Sequence, residues 1–405
     1  MTPCTLEPSS ATELEKNQKM KLFLIILSCL LLFTVLAAVQ FVFNPLGLGP
    51  EPDTVLPDTF FGQPKKADGR LKLLVDGKAA FDEILRAIDG AQSSIHVQTY
   101  IWKDDHIGRQ IVSKLKNAAS RGVKVTVRKD ALGTAFELVD MLKGRPSPVF
   151  TKSGLKDTKN IDVKVDIWAD TDHSKYVIVD HKEVIFGGMN IADEYHTQWH
   201  DYMAMIRSER WTAAFEDRLL KSSPWPEPLP FVITLNDRNT TEIRTALIEL
   251  IKQARESVLL EHAYFSDDKV IEAVKRAAEN GIQVNIILPK RPDTHHYANM
   301  VTINKLIQSG ETTAPRVFLY PQMMHAKVVL TDGVIAAVGS ANLTPRSMKT
   351  SREVTMFFHG NPEDPFIKRL REQLEADLVK SKEVLTPFKL SVTEEIKAFF
   401  GKYLW

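Results

Sequence analysis

HSKYVIVD (His173–Asp180) and HAKVVLTD (His325–Asp332) are two copies of one pattern: His-x-Lys, four residues, then Asp. Each copy runs on into a small-residue turn ending in Asn, GGMN at Gly187–Asn190 and GSAN at Gly339–Asn342. The His-to-Asn interval is 17 positions in both, and a carboxylate follows 28 positions after each His: Asp201 in the first copy, Glu353 in the second. Agreement at three offsets implies two homologous half-domains, each presenting one His, one Lys and one Asn.

The alternation H-x-K-x-V-x-V predicts a strand that turns His and Lys to the same face. An imidazole beside an ammonium suits an anion. Lys and the Asn amide can hold the non-bridging oxygens of a phosphate while one His attacks phosphorus. The His of the other half can protonate the leaving alkoxide and then deprotonate an incoming alcohol or water. Two displacements through a phosphohistidine call for no cofactor and no metal, because two Lys and two Asn supply the charge stabilisation. Asp201 and Glu353 are each expected to accept the second ring N–H of the His in their own half, fixing its tautomer.

These motifs resemble those of the phospholipase D superfamily. The first copy, with GGMNIADEY after it, is similar to the corresponding stretch of bacterial cardiolipin synthases, as is HAKVVLTDGVIAAVGSANLTPRS with SREV downstream. The resemblance implies His173 as nucleophile and His325 as acid and base, although the near-symmetric motifs do not choose between them. It implies phosphate binding by Lys175, Lys327, Asn190 and Asn342, with a smaller contribution from Ser340. Asp180 and Asp332 complete the motif and count with the catalytic set, though in this superfamily they look mainly structural. Gly188 stands where the second copy has Ser340, so the first half lacks one hydroxyl.

Upstream of each motif lies a second repeat. SSIHVQTYIW (Ser93–Trp102) and SVLLEHAYF (Ser257–Phe265) are strand-like. Each leads into an amphipathic helix, one from about Asp105 to Gly122, the other from an N-cap at Ser266 to Gly281. VKVTV (Val123–Val127) and IQVNIIL (Ile282–Leu288) follow as apolar strands. This order predicts β-α-β units with a parallel sheet. The fold class is therefore α/β, with two phospholipase D-like halves, 70–222 and 229–390, packed around a shared site. SSPWPEPLP (Ser222–Pro230) is the joint between them.

Leu22 to Phe43 is 22 residues without a charge, long enough to cross a bilayer. A signal peptide would have a shorter apolar region and a clearer cleavage site. Lys16, Lys19 and Lys21 precede it, and no Lys or Arg follows before Lys65. That asymmetry places the tail (1–21) in the cytoplasm and the catalytic body outside, in a bacterial inner membrane. Residues 44–69 read as a linker, Pro- and Gly-rich over Asn44–Asp58. The only Cys are Cys4 and Cys29, so the body has no disulfide. The sequon at Asn342 falls in the proposed phosphate site, which fits a glycosylating compartment poorly.

Of 52 basic and 51 acidic residues, three and six fall in the first 59 positions, leaving 49 against 45 in the body. That surplus is small for a nucleic-acid binder and is compatible with a local phosphate site. His196 and His200, with His295 and His296, are candidate chelators, but loop histidines near the site mouth are the favoured reading and no metal is assigned. Trp199 is expected in the pocket wall, and the loop holding Lys290, Arg291 and Asp293 could reach a headgroup. Residues 391–405 carry Phe399, Phe400, Tyr403 and Trp405, a set suited to core packing or to a membrane interface. The expected activity is that of a membrane-anchored phosphatidyltransferase resembling cardiolipin synthase, with phosphatidylglycerol as lipid partner. A phospholipase D hydrolase or a nuclease of the same family is the alternative.

Overall fold

A computed structural model of the chain describes residues 54, 56, 60–134, 137, 154–166, 171–221, 229–307 and 313–403. The tail 1–21, the apolar stretch 22–43, most of the linker before residue 60 and positions 222–228 of the joint lie outside the described residues. Among the described residues no helix is long and apolar enough to cross a membrane.

The first half runs β1 (Leu71–Val75), α1 (Asp76–Gly90), β2 (Ser94–Thr99), α2 (His106–Ser120), β3 (Lys124–Asp130) and β4 (Ile161–Asp166). It continues with the hairpin β5 (Tyr176–Val179) and β6 (Glu183–Gly187), then α3 (Asp193–Thr197), β7 (Tyr202–Arg207) and α4 (Glu209–Lys221). The second half begins β8 (Phe231–Asp237), β9 (Thr240–Thr241), α5 (Glu242–Lys252), β10 (Ser257–His262), α6 (Asp268–Glu279), β11 (Gln283–Pro289), α7 (His296–Ile307) and β12 (Arg316–Tyr320). Its hairpin β13 (Lys327–Thr331) and β14 (Ile335–Gly339) leads to α8 (Pro345–Lys349) and β15 (Glu353–His359). The chain then adds α9 (Pro365–Lys380), β16 (Lys382–Glu383) and α10 (Val392–Tyr403).

The strand orders are β1-β7-β6-β5-β2-β3-β4 and β16-β12-β11-β10-β13-β14-β15-β8-β9. Omitting the short edge strands β9 and β16, the second order is the first read in reverse, as a repeat requires. The expected parallel sheet is realised only in part. β2, β3 and β4 are parallel, as are β10, β11 and β12. The strands that carry the motif run the other way, β5 against β2 and β13 against β10. Chain length explains this: six residues separate β12 from β13, whereas a parallel crossover needs about a dozen or more.

Local signals set the helix ends. Asp105 caps α2 by accepting the Gly108 N–H at 3.0 Å, and Gly122 leaves the helix at φ +95°. In the second half the cap is Asp267, one residue beyond the expected Ser266, because its carboxylate accepts the N–H groups of Lys269 and Val270. The inner faces of the two sheets share one apolar core. Tyr176, Phe186 and Phe215 of the first half meet Val328, Val338 and Phe358 of the second. Each sheet covers its outer face with its own helices.

The motif Asp residues belong to this framework rather than to the site, a correction to their place in the catalytic set. Each sits at the first corner of a tight hairpin turn, Asp180–His181 at φ 52° and 58°, and Asp332–Gly333 at φ 51° and 66°. Asp180 accepts the backbone N–H groups of Gln92, Ser93 and Ser94 at 2.7–2.9 Å. Asp332 accepts those of Arg255, Glu256 and Ser257 at 2.9–3.1 Å. Each carboxylate thus ties the hairpin to the start of the neighbouring strand, roughly 16 Å along an extended chain from its motif Lys. Asp180→Ala and Asp332→Ala should each lower the unfolding free energy in urea by about 2 kcal/mol while kcat changes by less than about threefold. A hundredfold loss of kcat at unchanged stability would return these residues to the site.

Candidate active site

The site forms where the chain crosses between halves. The backbone before each motif strand pairs with the backbone before the other half's carboxylate strand or just preceding its carboxylate. The His173 N–H donates to the Arg352 carbonyl at 2.9 Å, and the Arg352 N–H to the Thr171 carbonyl at 2.7 Å. On the other side the His325 N–H donates to the His200 carbonyl at 2.7 Å, and the His200 N–H to the Met323 carbonyl at 3.2 Å. Arg352 and His200 immediately precede Glu353 and Asp201. Each imidazole is therefore delivered to the opposite half's carboxylate. His173 Nδ1 lies 2.9 Å from Glu353 Oε1, and His325 Nδ1 lies 2.8 Å from Asp201 Oδ2. The expected pairing within each half is overturned, since spacing along one chain cannot report this exchange.

The two carboxylates have different surroundings. Glu353 accepts hydrogen bonds from Ser340 Oγ at 2.5 Å and Ser347 Oγ at 2.7 Å as well as meeting His173. Ser340 thus braces a carboxylate, which corrects its expected place on the phosphate. Asp201 has the Tyr202 N–H at 2.7 Å, and Gly188 packs against its carboxylate. A Cβ at Gly188 would stand 2.4 Å from Asp201 Oδ1, so a Ser like that at position 340 has no room there.

The titration behaviour follows. Burial pushes Asp201 up to about 7 against the opposing charge of Lys327. Burial also acts to raise Glu353, but His173, Lys175 and Ser340 outweigh it and hold the group below its ordinary value. A rise from 3.8 to about 7 is worth roughly 4 kcal/mol, and two hydroxyl donors to a buried carboxylate contribute on the order of 3 kcal/mol or more. On Glu353 the charges of His173 and Lys175 act first and the Ser340 hydroxyl adds to them. Burial, with Lys175 adding, lowers His173 to about 4 despite Glu353. His325 is pushed well below its ordinary value by burial and by Lys327. Burial brings Lys175 down to about 7 and Lys327 to about 8.

Each Lys stands beside its own His. Lys175 Nζ donates to the His173 carbonyl and lies 5.4 Å over the Tyr100 ring. Lys327 Nζ lies 2.9 Å from His325 Nδ1 and 3.2 Å from Nε2. Asn190 is held by the Ile101 N–H on its Oδ1 at 3.0 Å, and its Nδ2 donates to Tyr195 Oη at 2.9 Å. Asn342 is buried with its Oδ1 unpartnered. Both Asn, both His, Arg346 and Ser351 line a cavity of about 380 Å³, near the low end of small-molecule sites, roughly 300–1,000 Å³.

Sequence reasoning gave no role to Tyr100, Tyr195 and Tyr264, which surround the histidines. Tyr100 meets His173 edge-on at 4.9 Å, and Tyr195 meets His325 at 5.0 Å. Tyr195 and Ser347 lay within the quoted GGMNIADEY and LTPRS stretches, but nothing in their spacing marked them. Trp199 packs 5.9 Å from His325. Asp293 lines the cavity, whereas Lys290 and Arg291 are exposed and do not. His200 is not a loop histidine: it is buried among Asp76, Glu261 and Asp377, and these charges outweigh burial to hold it well above its ordinary value. His196 turns away from it, towards Phe81 and a group with His106 and Asp193, so the two do not chelate together.

The family described as "Cardiolipin synthase, PLD-like domain" matches residues 84–222 and 247–378. Similar proteins include the cardiolipin synthase of Listeria welshimeri, 27% identical over 79% of this chain and 71% of that protein. The cardiolipin synthase of Clostridium perfringens is 28% identical over 76% and 70%. Among solved structures, the phosphatidylserine synthase of Haemophilus influenzae superposes with a TM-score of 0.66 over 84% of this chain and 95% of that one, at 14% identity. That likeness is one of fold.

Gly188→Ala should displace the Asp201 carboxylate from His325 and lower kcat about a hundredfold, the cost of roughly 1 Å of misplacement, with the circular dichroism spectrum unchanged. Wild-type turnover by this variant would show that Asp201 does not orient His325.

Proposed function

The chain belongs to the cardiolipin synthase family with phospholipase D-like domains, and from its site we propose that it makes cardiolipin and glycerol from two molecules of phosphatidylglycerol. The observation that carries the mechanism is the crossed geometry: His173 Nδ1 meets Glu353, which two serine hydroxyls also hold, and His325 Nδ1 meets Asp201. Ionised Glu353 orients His173 through Nδ1, leaving a neutral ring with its Nε2 lone pair as nucleophile. The Asp201–His325 pair retains one proton below about pH 7, available to His325 as acid.

In the first displacement His173 Nε2 forms a bond to phosphorus, the phosphorus–glycerol oxygen bond breaks, and His325 gives its proton to the departing glycerol. Lys175, Lys327 and the Asn342 side-chain amide group stabilise the non-bridging oxygens. In the second, His325 removes the proton from a terminal glycerol hydroxyl of another phosphatidylglycerol. That oxygen bonds to phosphorus, the phosphorus–nitrogen bond breaks, and His173 and the proton on His325 are restored. A cavity of about 380 Å³ suits the headgroup and phosphodiester, with the acyl chains left outside. The uncharged stretch 22–43 supports anchoring in a bacterial inner membrane with the body on the outer side.

Incubation of the purified chain with labelled phosphatidylglycerol should yield cardiolipin and glycerol. Phosphatidic acid as the sole lipid product would make water the acceptor and overturn the synthase reading. The histidine roles separate with a p-nitrophenyl phosphatidyl ester, whose leaving group needs no proton. His325→Ala should release about one equivalent of nitrophenol and stall as a covalent adduct, whereas His173→Ala should release none; the reverse result would exchange the roles.

The pH profile has a defined sign. For the free enzyme kcat/KM should rise as pH increases through about 4, where His173 loses its proton and becomes nucleophilic. It should fall as pH increases through about 7 to 8, where the proton of the Asp201–His325 pair and the Lys175 and Lys327 ammonium groups are lost. Bound phosphate favours the ammonium forms, so the alkaline limb of kcat should lie higher. An alkaline limb of kcat below that of kcat/KM would contradict phosphate binding by these lysines.

A further inference from the structure

Among the described residues, every large apolar side chain that stands exposed lies in one stretch near the carboxyl end: Val379, Leu385, Val392, Ile396, Phe399 and Phe400. Four of them belong to α10 at relative positions 0, 4, 7 and 8, an arc of about 100° on one side of the helix. Phe399 and Phe400 contact edge-on at 5.8 Å, and Tyr403 extends the aromatic row 5.0 Å from Phe399. The opposite side of α10 is seated on the body. Ala398 is buried, Lys402 pairs with Asp268 at 2.5 Å, and Lys397 lies 5.5 Å over the Tyr297 ring. A Cβ at Gly401 would lie 3.8 Å from both Ala298 Cβ and His295 Cα.

His295 lines the active-site cavity, and α7 begins at the next residue. The body side of α10 is therefore packed on the segment at His295 that lines the cavity holding His173 and His325, with its aromatic side turned outward. We propose that α10 docks this side into the interface of a phospholipid bilayer and so presents the cavity rim to lipid headgroups. The proposal rests on the phospholipid substrate given above. Phe and Tyr beside lysines suit the headgroup–acyl boundary. Setting aside the pairs Lys380–Asp377, Lys402–Asp268 and Arg316–Glu383, the stretch from Val379 to Tyr403 keeps Lys382, Lys389 and Lys397 against Glu394 and Glu395, a small surplus that suits an anionic surface. A second copy of the chain is a poorer occupant, because a few half-exposed side chains on one short helix cover less than the roughly 800 Å² per partner of an ordinary protein interface.

The test uses the full chain with Cys4→Ser and Cys29→Ser, its only native cysteines, so that a fluorophore can be placed at Ile396→Cys or, for reference, at the exposed Lys78→Cys. In vesicles of phosphatidylglycerol and phosphatidylcholine, the probe at 396 should be quenched by nitroxide-bearing lipids and protected from iodide at least threefold relative to the probe at 78. Equal quenching of both probes by iodide would overturn the proposal. Protection from both quenchers would also overturn it, because a protein surface would then cover the helix. In a second arm, the exposed pair Phe399→Ser/Phe400→Ser should raise the apparent KM on phosphatidylglycerol vesicles at least tenfold and leave turnover of monomeric dihexanoyl phosphatidylglycerol unchanged. Equal loss on both substrates would mark a structural defect and refute docking. If the unmodified chain turns over neither lipid, the substrate reading fails, while the quenching result still decides whether α10 enters a bilayer.

Discussion

The contact on which the site depends is the crossed one: His173 to Glu353 and His325 to Asp201. Neither half contains a complete His–carboxylate pair. Two backbone exchanges, Asp172 with Arg352 and His200 with Met324, set the crossing, and the shared core of the two sheets holds it. A slip between the halves would move both imidazoles away from their carboxylates together. The apolar packing between the sheets is thus also what positions the reacting groups.

Approximate symmetry gives two similar histidines, but the proposed chemistry needs two different ones. The surroundings of the two carboxylates differ visibly at positions 188 and 340, beside the charges of His173 and Lys175 that act on Glu353. At 340 a hydroxyl braces Glu353, whereas at 188 the absence of any side chain lets the shorter Asp201 settle against the backbone. Ser347 adds a second donor on the Glu353 side. One carboxylate is held ionised, while the other is raised to about 7. The missing hydroxyl in the first copy is one of the differences on which the proposed division between nucleophile and acid draws.

Much of this was legible in the sequence, and the reasons differ by feature. The repeated offsets from His173 and His325 gave two halves, because a repeated motif preserves spacing along the chain. Helix starts at Asp105 and ends at Gly122 and Gly281 followed from local backbone demands. The direction of β5 and β13 was not legible, because the β-α-β rule speaks only of the strands that a helix joins. The partners of Asp201 and Glu353 were missed because contacts between halves leave no trace in spacing within one half. Tyr100, Tyr195 and Tyr264 gave no periodic signal, since each reaches the site from a strand end or a short helix.

His200 shows how the framework reaches the reacting atoms. Asp76 in the first half and Glu261 and Asp377 in the second converge on its buried ring and favour the charged form against burial, with Tyr202 Oη at 2.9 Å from Nε2. Such a charge is tolerated away from water only while its partners stay in place. Its own carbonyl meanwhile accepts the N–H of His325, and its neighbour in sequence is Asp201. One residue thus joins the ionic contact between halves to the backbone of His325 and, through the chain, to Asp201, the carboxylate that His325 meets. Loss of the ring charge would leave the second half's Glu261 and Asp377 carboxylates close together with no cation between them. The strain would fall first on the segment that carries Asp201, before either sheet was disturbed.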